Sequence, residues 1–213
     1  AGLAERRLNP QDSFWTWRET MYQLAARFDP DSLRDVAAQL YVEMLEAGYT
    51  RVCEFHYLHH APDGRPYADP AAMSQALIEA ARDTGIGLTV LYMSGGFDGR
   101  ALNERQRRFA HTVDAYLRLL DTLRAQQSER LQIGCALHSL RAVPPPAMRE
   151  VLAALPAESR IHIHIAEQTG EVDECLALRG ARPVEWLNEH AQVDARWTLV
   201  HATHLTREET ARI

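Results

Sequence analysis

Sulfur is scarce in this chain, and none of it is paired by spacing: Cys53, Cys135 and Cys175 are the only cysteines among 213 residues. They form no CxxC pair and no even-numbered framework, which argues against a disulfide scaffold. Cys53 and Cys135 lie inside apolar, strand-like runs and are expected to be buried free thiols, as suits a reducing, cytoplasmic setting. No stretch approaches the length of a transmembrane helix, and no signal-peptide pattern opens the chain, so no membrane partner is expected. Positive charge is not in excess. The net charge of −6 argues against nucleic acid as the main partner, because phosphate binding needs a basic face. Low-complexity tracts and close internal repeats are also lacking.

What is present is an ordinary globular composition, 46% hydrophobic and 24% charged, in a length that suits one large or two small domains. Short apolar runs alternate with longer amphipathic segments. Strands are expected over 50–58, 87–92, 131–138, 160–166 and 197–201, each rich in Val, Ile, Leu or aromatic residues. Between them, Leu33, Val36, Ala37, Leu40 and Met44 form one helical stripe. Ser32 with Asp35 resembles a capping box at its start, and Gly48 can end it in a left-handed turn. Further helices are expected over 72–81, 109–123, 148–155, 171–178 and 184–190, the last opened by Pro183. Strand then helix, five times over, implies a parallel sheet. No GxGxxG or GxxxxGK[ST] loop follows any strand, so nucleotide-binding open sheets lose support. The expected fold class is α/β, a (β/α)8 TIM-like barrel. A full barrel needs eight strands, and both ends of the chain look cut, so residues 1–213 are expected to be its central portion, with the first-strand and last-strand segments outside it.

Ionisable residues gather at the carboxyl ends of the expected strands. The first runs into Glu54, His56 and Tyr57, then His59 and His60; the third ends at His138 with Arg141 just beyond; the fourth ends in His162, His164 and Glu167; the fifth ends at His201 and His204. Eight of the ten histidines fall there, on the edge where parallel α/β folds build active sites. In Arg160-Ile-His-Ile-His-Ile-Ala-Glu167, alternation puts His162, His164 and Ala166 on one face and the three isoleucines on the other. Two satisfied core histidines are the bland reading. It is preferred for His162, deeper in the strand, whereas His164 at the rim is favoured as a metal ligand. His201 ends its strand and should point into the pocket; His204, in the loop, fits a cap or a solvated side chain equally well.

Strand-end His-x-x-Glu at 164 and 167, with a strand-end His at 201, resembles the amidohydrolase superfamily. Within it, the chain resembles the formimidoylglutamate deiminases. The matching stretches are Ser13-Phe-Trp-Thr-Trp-Arg-Glu-Thr-Met-Tyr22, Glu54-Phe-His-Tyr-Leu-His-His60, Asp63-Gly-Arg-Pro-Tyr-Ala-Asp69, His138-Ser-Leu-Arg-Ala-Val143 and His162-Ile-His-Ile-Ala-Glu-Gln168. The resemblance implies a hydrolase that converts N-formimino-L-glutamate, a small dicarboxylate amidine, to N-formyl-L-glutamate and ammonia in histidine degradation. It implies one Zn²⁺ per site with His164 as a ligand, Glu167 and His201 as catalytic residues, and Arg18, Tyr57, His138 and Arg141 holding the substrate. It also implies a homodimer, for which Trp15 and Trp17 fit an interface as well as a core. The family's first-strand His-x-His pair and last-strand metal-binding Asp have no counterpart in the chain, and the segment from Val90 looks shorter than the family's third strand and loop. Each role has a plain alternative: Arg18 as a surface helix residue, Tyr57 as a core aromatic, His138 as a buried strand histidine, Arg141 as a loop ion-pair partner. A planar, bidentate cation suits a dicarboxylate, which makes Arg141 the best-supported of the four on physical grounds. Two other readings remain, a heterocycle deaminase of the same superfamily and a non-catalytic barrel fragment acting as a binding module.

Overall fold

The computed structural model describes the backbone of residues 14–94 and 104–213, and the side chains of 19–89 and 106–213. Five strands run parallel in the order β1-β2-β3-β4-β5: β1 Arg51–His56, β2 Gly87–Ser94, β3 Leu131–Ser139, β4 Ile161–Ile165 and β5 Trp197–His201. The order follows the sequence without reversal. A doubly wound sheet reverses at a switch point, whereas a (β/α)8 barrel keeps adding strands in one direction. The observed order is the barrel's.

Burial follows position in the sheet. Central β3 is buried along nearly its whole length, from Leu131 to Ser139, which is why it reads as a continuous apolar run. In β4 burial alternates: Ile161, Ile163 and Ile165 are closed off while His162 and His164 are half-buried. The isoleucines join the main core with Tyr116, Leu120, Leu123, Met148, Val151 and Leu187, supplied by the helices on one face of the sheet. β1 lies at the edge of the described sheet, and Cys53 on it is exposed. The expected burial therefore holds for Cys135 but not for Cys53, whose strand has one covered face. Cys175 is buried as well.

The helices are α1 Phe14–Ala25, α2 Pro30–Glu46, α3 Ala72–Thr84, α4 Val113–Arg124, α5 Pro145–Ala154, α6 Thr169–Arg179, α7 Pro183–His190 and the short α8 Arg207–Thr210. α5 begins three residues before the expected 148 and α8 was not among the expected helices; the differences at α1, α2 and α4 say more. α1 was not anticipated. α2 starts a turn earlier than a Ser32–Asp35 box would place it: Asp29 is the cap, its carboxylate accepting from the Ser32 amide at 2.8 Å while the Ser32 hydroxyl accepts the Asp29 amide at 3.0 Å, with Pro30 in the first turn. The helix expected from Phe109 is broken. A 3-10 turn, Glu104–Phe109, ends there, and α4 begins only after Thr112, whose hydroxyl caps Ala115.

Arg108 is the pin of this broken region. It is 2% exposed, and its guanidinium donates to the carbonyls of Ala25, Phe28 and His60, while its own carbonyl accepts the amides of His59 and His60. One side chain thus ties the end of α1, the loop after β1 and the 3-10 turn together. Gly64 sits in the same contact with φ 82°, where a side chain would bring its Cβ to 2.7 Å from that of Arg107.

Candidate functional site

The register of β3 against β4 slips between Leu137 and Ser139: Leu137 pairs with Ile163, and Ser139 with His164, leaving His138 unmatched. Bulges of this kind re-aim groups next to sites. Here the freed His138 carbonyl accepts from His164 Nδ1 at 2.9 Å. A carbonyl can only accept, so Nδ1 carries the proton and Nε2 keeps its lone pair. The Tyr57 hydroxyl, just beyond β1, donates to that nitrogen at 3.3 Å. Burial holds the His164 imidazole below its ordinary pKa, and neighbouring His201 adds to the effect. It also pushes the Tyr57 hydroxyl up, reinforced by the charge of Glu167. The pair is therefore neutral imidazole and intact phenol.

Around His164, the Phe55 ring lies at 4.0 Å, His201 stacks at 5.4 Å with 25° between planes, and the His138 ring lies at 5.5 Å. Tyr57 meets the His138 ring edge-on at 5.7 Å, and the His138 Nδ1 shares a hydrogen bond with Ser139 Oγ at 2.9 Å. His201 Nε2 stands 3.7 Å from Glu167 Oε1. Ala166, His201 and Ala202 have positive φ, at 51°, 68° and 45°, and they are the non-glycine residues that do so among those described. All lie at the carboxyl ends of β4 and β5, beside the Glu167–His201 pair. Strain gathered this way marks functional edges in other folds.

The structure thus brings together Tyr57, His138, His164, Glu167 and His201. Arg141, in the turn after β3, makes no hydrogen bond or ion pair among the described residues, and its Nε is sealed from solvent. Arg18 lies on α1, but its side chain is outside the described residues, as are those of Trp15 and Trp17. The other polar residues in and after β1 go elsewhere. The Tyr41 hydroxyl of α2 donates to Glu54 at 2.8 Å on the helix side. His56, His59 and His60 pack with His111 in a separate buried cluster. Strand-end position alone does not decide which face a side chain takes.

Sequence reasoning missed Phe55 and Glu171. Phe55 is one pleat away from the Glu54 and His56 side chains and shares the site face with Tyr57. Glu171 is the third residue of α6, and its buried carboxylate accepts the amides of Ala166 and Glu167 at 3.1 and 2.9 Å. A glutamate at that helix position is a capping signal, but with Gln168 at the cap the usual Ser or Thr cue is lacking.

Among the described residues no three His, Cys, Asp or Glu side chains are arranged to hold a metal ion. His164 fits one ligand position: a backbone carbonyl fixes its tautomer, as carbonyls and carboxylates do for ligating histidines, and its Nε2 lone pair is available once Tyr57 yields it.

The amidohydrolase family profile matches residues 4–213, and the chain belongs to that family. Formimidoylglutamate deiminase of Pseudomonas aeruginosa is 54% identical over 99% of this chain. An amidohydrolase from Brucella melitensis, 50% identical, superposes with a TM-score of 0.90 over 99% of it. The more distant atrazine chlorohydrolase from Arthrobacter aurescens, complexed with zinc, shares the fold with a TM-score of 0.76 at 24% identity over 95% of it. The chain spans about half of each: 48%, 48% and 47% of their respective lengths. The five parallel strands are accordingly a half-barrel of the TIM-like fold. No helix among the described residues is long and apolar enough to cross a membrane.

Proposed function

We propose that residues 1–213 are the central portion of a barrel enzyme that hydrolyses N-formimino-L-glutamate to N-formyl-L-glutamate and ammonia, a reaction of histidine degradation. The observation that carries this reading is the locked His164 tautomer, which turns a lone pair toward the side of the sheet where Glu167 faces His201. The 54% identity to a formimidoylglutamate deiminase supports this substrate over others within the family. His164 is the ligand this chain offers to a divalent metal, zinc in the first instance, and the remaining ligands lie outside the described residues. Such a metal, when bound, supplies a water acidified to a pKa of about 7.

This chain's residues do the rest. Glu167 accepts the two protons of the water in turn, one as the oxygen attacks the formimino carbon and one as the new hydroxyl becomes the formyl carbonyl, and hands each to the leaving nitrogen, which departs as ammonia when its bond to carbon breaks. His201, 3.7 Å away, orients the attacking oxygen and stabilises its developing charge. Tyr57, a phenol kept protonated by burial, and His138 offer hydrogen bonds to the substrate. Arg141 and Arg18 take its carboxylates, and the shielded, unpartnered Arg141 Nε suits a desolvated, charge-assisted contact. The protein acts as a cytoplasmic homodimer with no nucleic-acid or membrane partner.

The test is ammonia release by the intact protein from N-formimino-L-glutamate, guanine and cytosine, together with a Glu167→Gln variant. The expected result is release from the first alone, and loss of at least about a thousandfold in turnover in the variant with metal content unchanged. Release from a heterocycle would establish the heterocycle-deaminase alternative. Normal turnover in the variant would remove Glu167 from the mechanism.

A further inference from the structure

Glu171 is 3% exposed. Burying a carboxylate is costly unless its charge is met. No cation pairs with it among the described residues, and the partners it has are the two amides before its own helix, those of Ala166 and Glu167, one on each oxygen. Those amides belong to the turn that carries Glu167. Ala166 is left-handed there, at φ 51°, a conformation that strains any residue with a Cβ by about 1 kcal/mol or more.

The same turn is held from its other side. The Ala166 carbonyl accepts the amides of Thr203 and His204, at 3.2 and 3.0 Å, and the Ile165 carbonyl accepts that of Ala202. These donors follow directly on His201, which with Ala202 is also left-handed. Glu171 therefore grips the amide side of a peptide link whose carbonyl side is gripped by the segment bearing His201. Its two oxygens fix the turn that sets the 3.7 Å approach of Glu167 to His201.

We propose that Glu171 is the positioning residue of the Glu167–His201 pair, acting on the backbone of the turn and touching neither substrate nor metal. The inference rests on the reading that this pair moves the protons of the hydrolysis. Glu171→Gln keeps the shape but leaves one amide facing an NH2 group, and Glu171→Asp keeps the charge but draws the carboxylate back by one methylene. In the intact protein, both variants are expected to lower kcat roughly ten- to hundredfold, the range for a catalytic group displaced by about 1 Å. KM should stay within about twofold and metal content unchanged, with the urea midpoint lowered but the transition still cooperative, since one buried amide loses its acceptor. Amide exchange at Ala166 and Glu167 should quicken in both variants but not in Glu167→Gln, a readout that needs no turnover.

Unchanged kcat in both variants of an active parent would overturn the inference, as would unchanged exchange at the two amides. Loss of fold or metal in both would make Glu171 a structural residue and overturn it equally. A parent that releases no ammonia from N-formimino-L-glutamate would instead sink the functional reading, and the exchange result would still decide whether Glu171 clamps the turn.

Discussion

Acidification should destabilise this protein through His56, His59 and His111, three members of the histidine cluster that lies apart from the site. The His56 and His59 rings are 5.0 Å apart, His59 and His111 4.4 Å, and His60 and His111 4.9 Å. His56 is 5% exposed and His59 1%. Arg108 is beside them as a buried cation, with Tyr116 against His111 at 6.2 Å. Burial pushes His56 down to about 3 and His111 to about 4, and His59 well below its usual value; the neighbouring imidazoles lower all three further. In the unfolded chain each titrates near 6.5. The folded values are the lower ones, so as pH falls the unfolded chain binds protons first. Their contribution to stability is complete above about pH 6.5 and drains away between there and pH 3–4. At pH 5 the deficit is 1.5 pH units, or about 2 kcal/mol for each histidine and about 6 kcal/mol for the three. That rivals the whole stability of many domains. Urea unfolding of the intact protein at pH 8 and pH 5 measures the loss. His111→Phe isolates it, because both His111 ring nitrogens are buried without a hydrogen bond and the substitution removes only the titration. The variant should lose about 2 kcal/mol less than the parent between the two pH values. Equal losses in the two proteins would refute the reasoning.

Two further outcomes follow from single cations. Arg108→Met should cost about 2–3 kcal/mol in urea unfolding, since it leaves three part-buried carbonyls without their donor at up to about 1 kcal/mol each. Arg141→Lys, which keeps the charge but loses the planar fork, should raise KM for N-formimino-L-glutamate about tenfold and move kcat little, whereas an equal fall in kcat would place Arg141 at the transition state instead.

The fold was legible where burial writes a clear period. β4 alternates in sequence and in burial, and β5 was located residue for residue because Trp197 to His201 is bounded by polar turns on both sides. It was less legible where local chemistry outranks periodicity. Phe109, Val113, Tyr116 and Leu120 carry a helical stripe, but the Thr112 cap and the Arg108 pin divide it. Periodicity reports only which residues face the core, and a cap or a buried cation decides where the backbone starts and stops. α2 makes the same point: the apolar stripe located the helix, while Asp29 and Pro30, which carry no hydrophobic signal, fixed its first turn.

For the site, the sequence named the side chains and left their division to the structure. The polar residues at the end of β1 and just beyond it read alike, yet Tyr57 turns to His164, Glu54 to Tyr41, and His59 to His111. The deciding features are backbone ones. The slip at His138 releases the carbonyl that fixes the His164 tautomer, and three left-handed residues aim Glu167 and His201 at each other. Neither a bulge nor a left-handed alanine leaves a compositional trace, since both arise from what neighbouring strands and a buried carboxylate impose. The residues proposed for the chemistry can therefore be read as a motif, whereas those that hold the motif in shape, His138 through its carbonyl and Glu171 through its two oxygens, become visible only once their backbone partners are known.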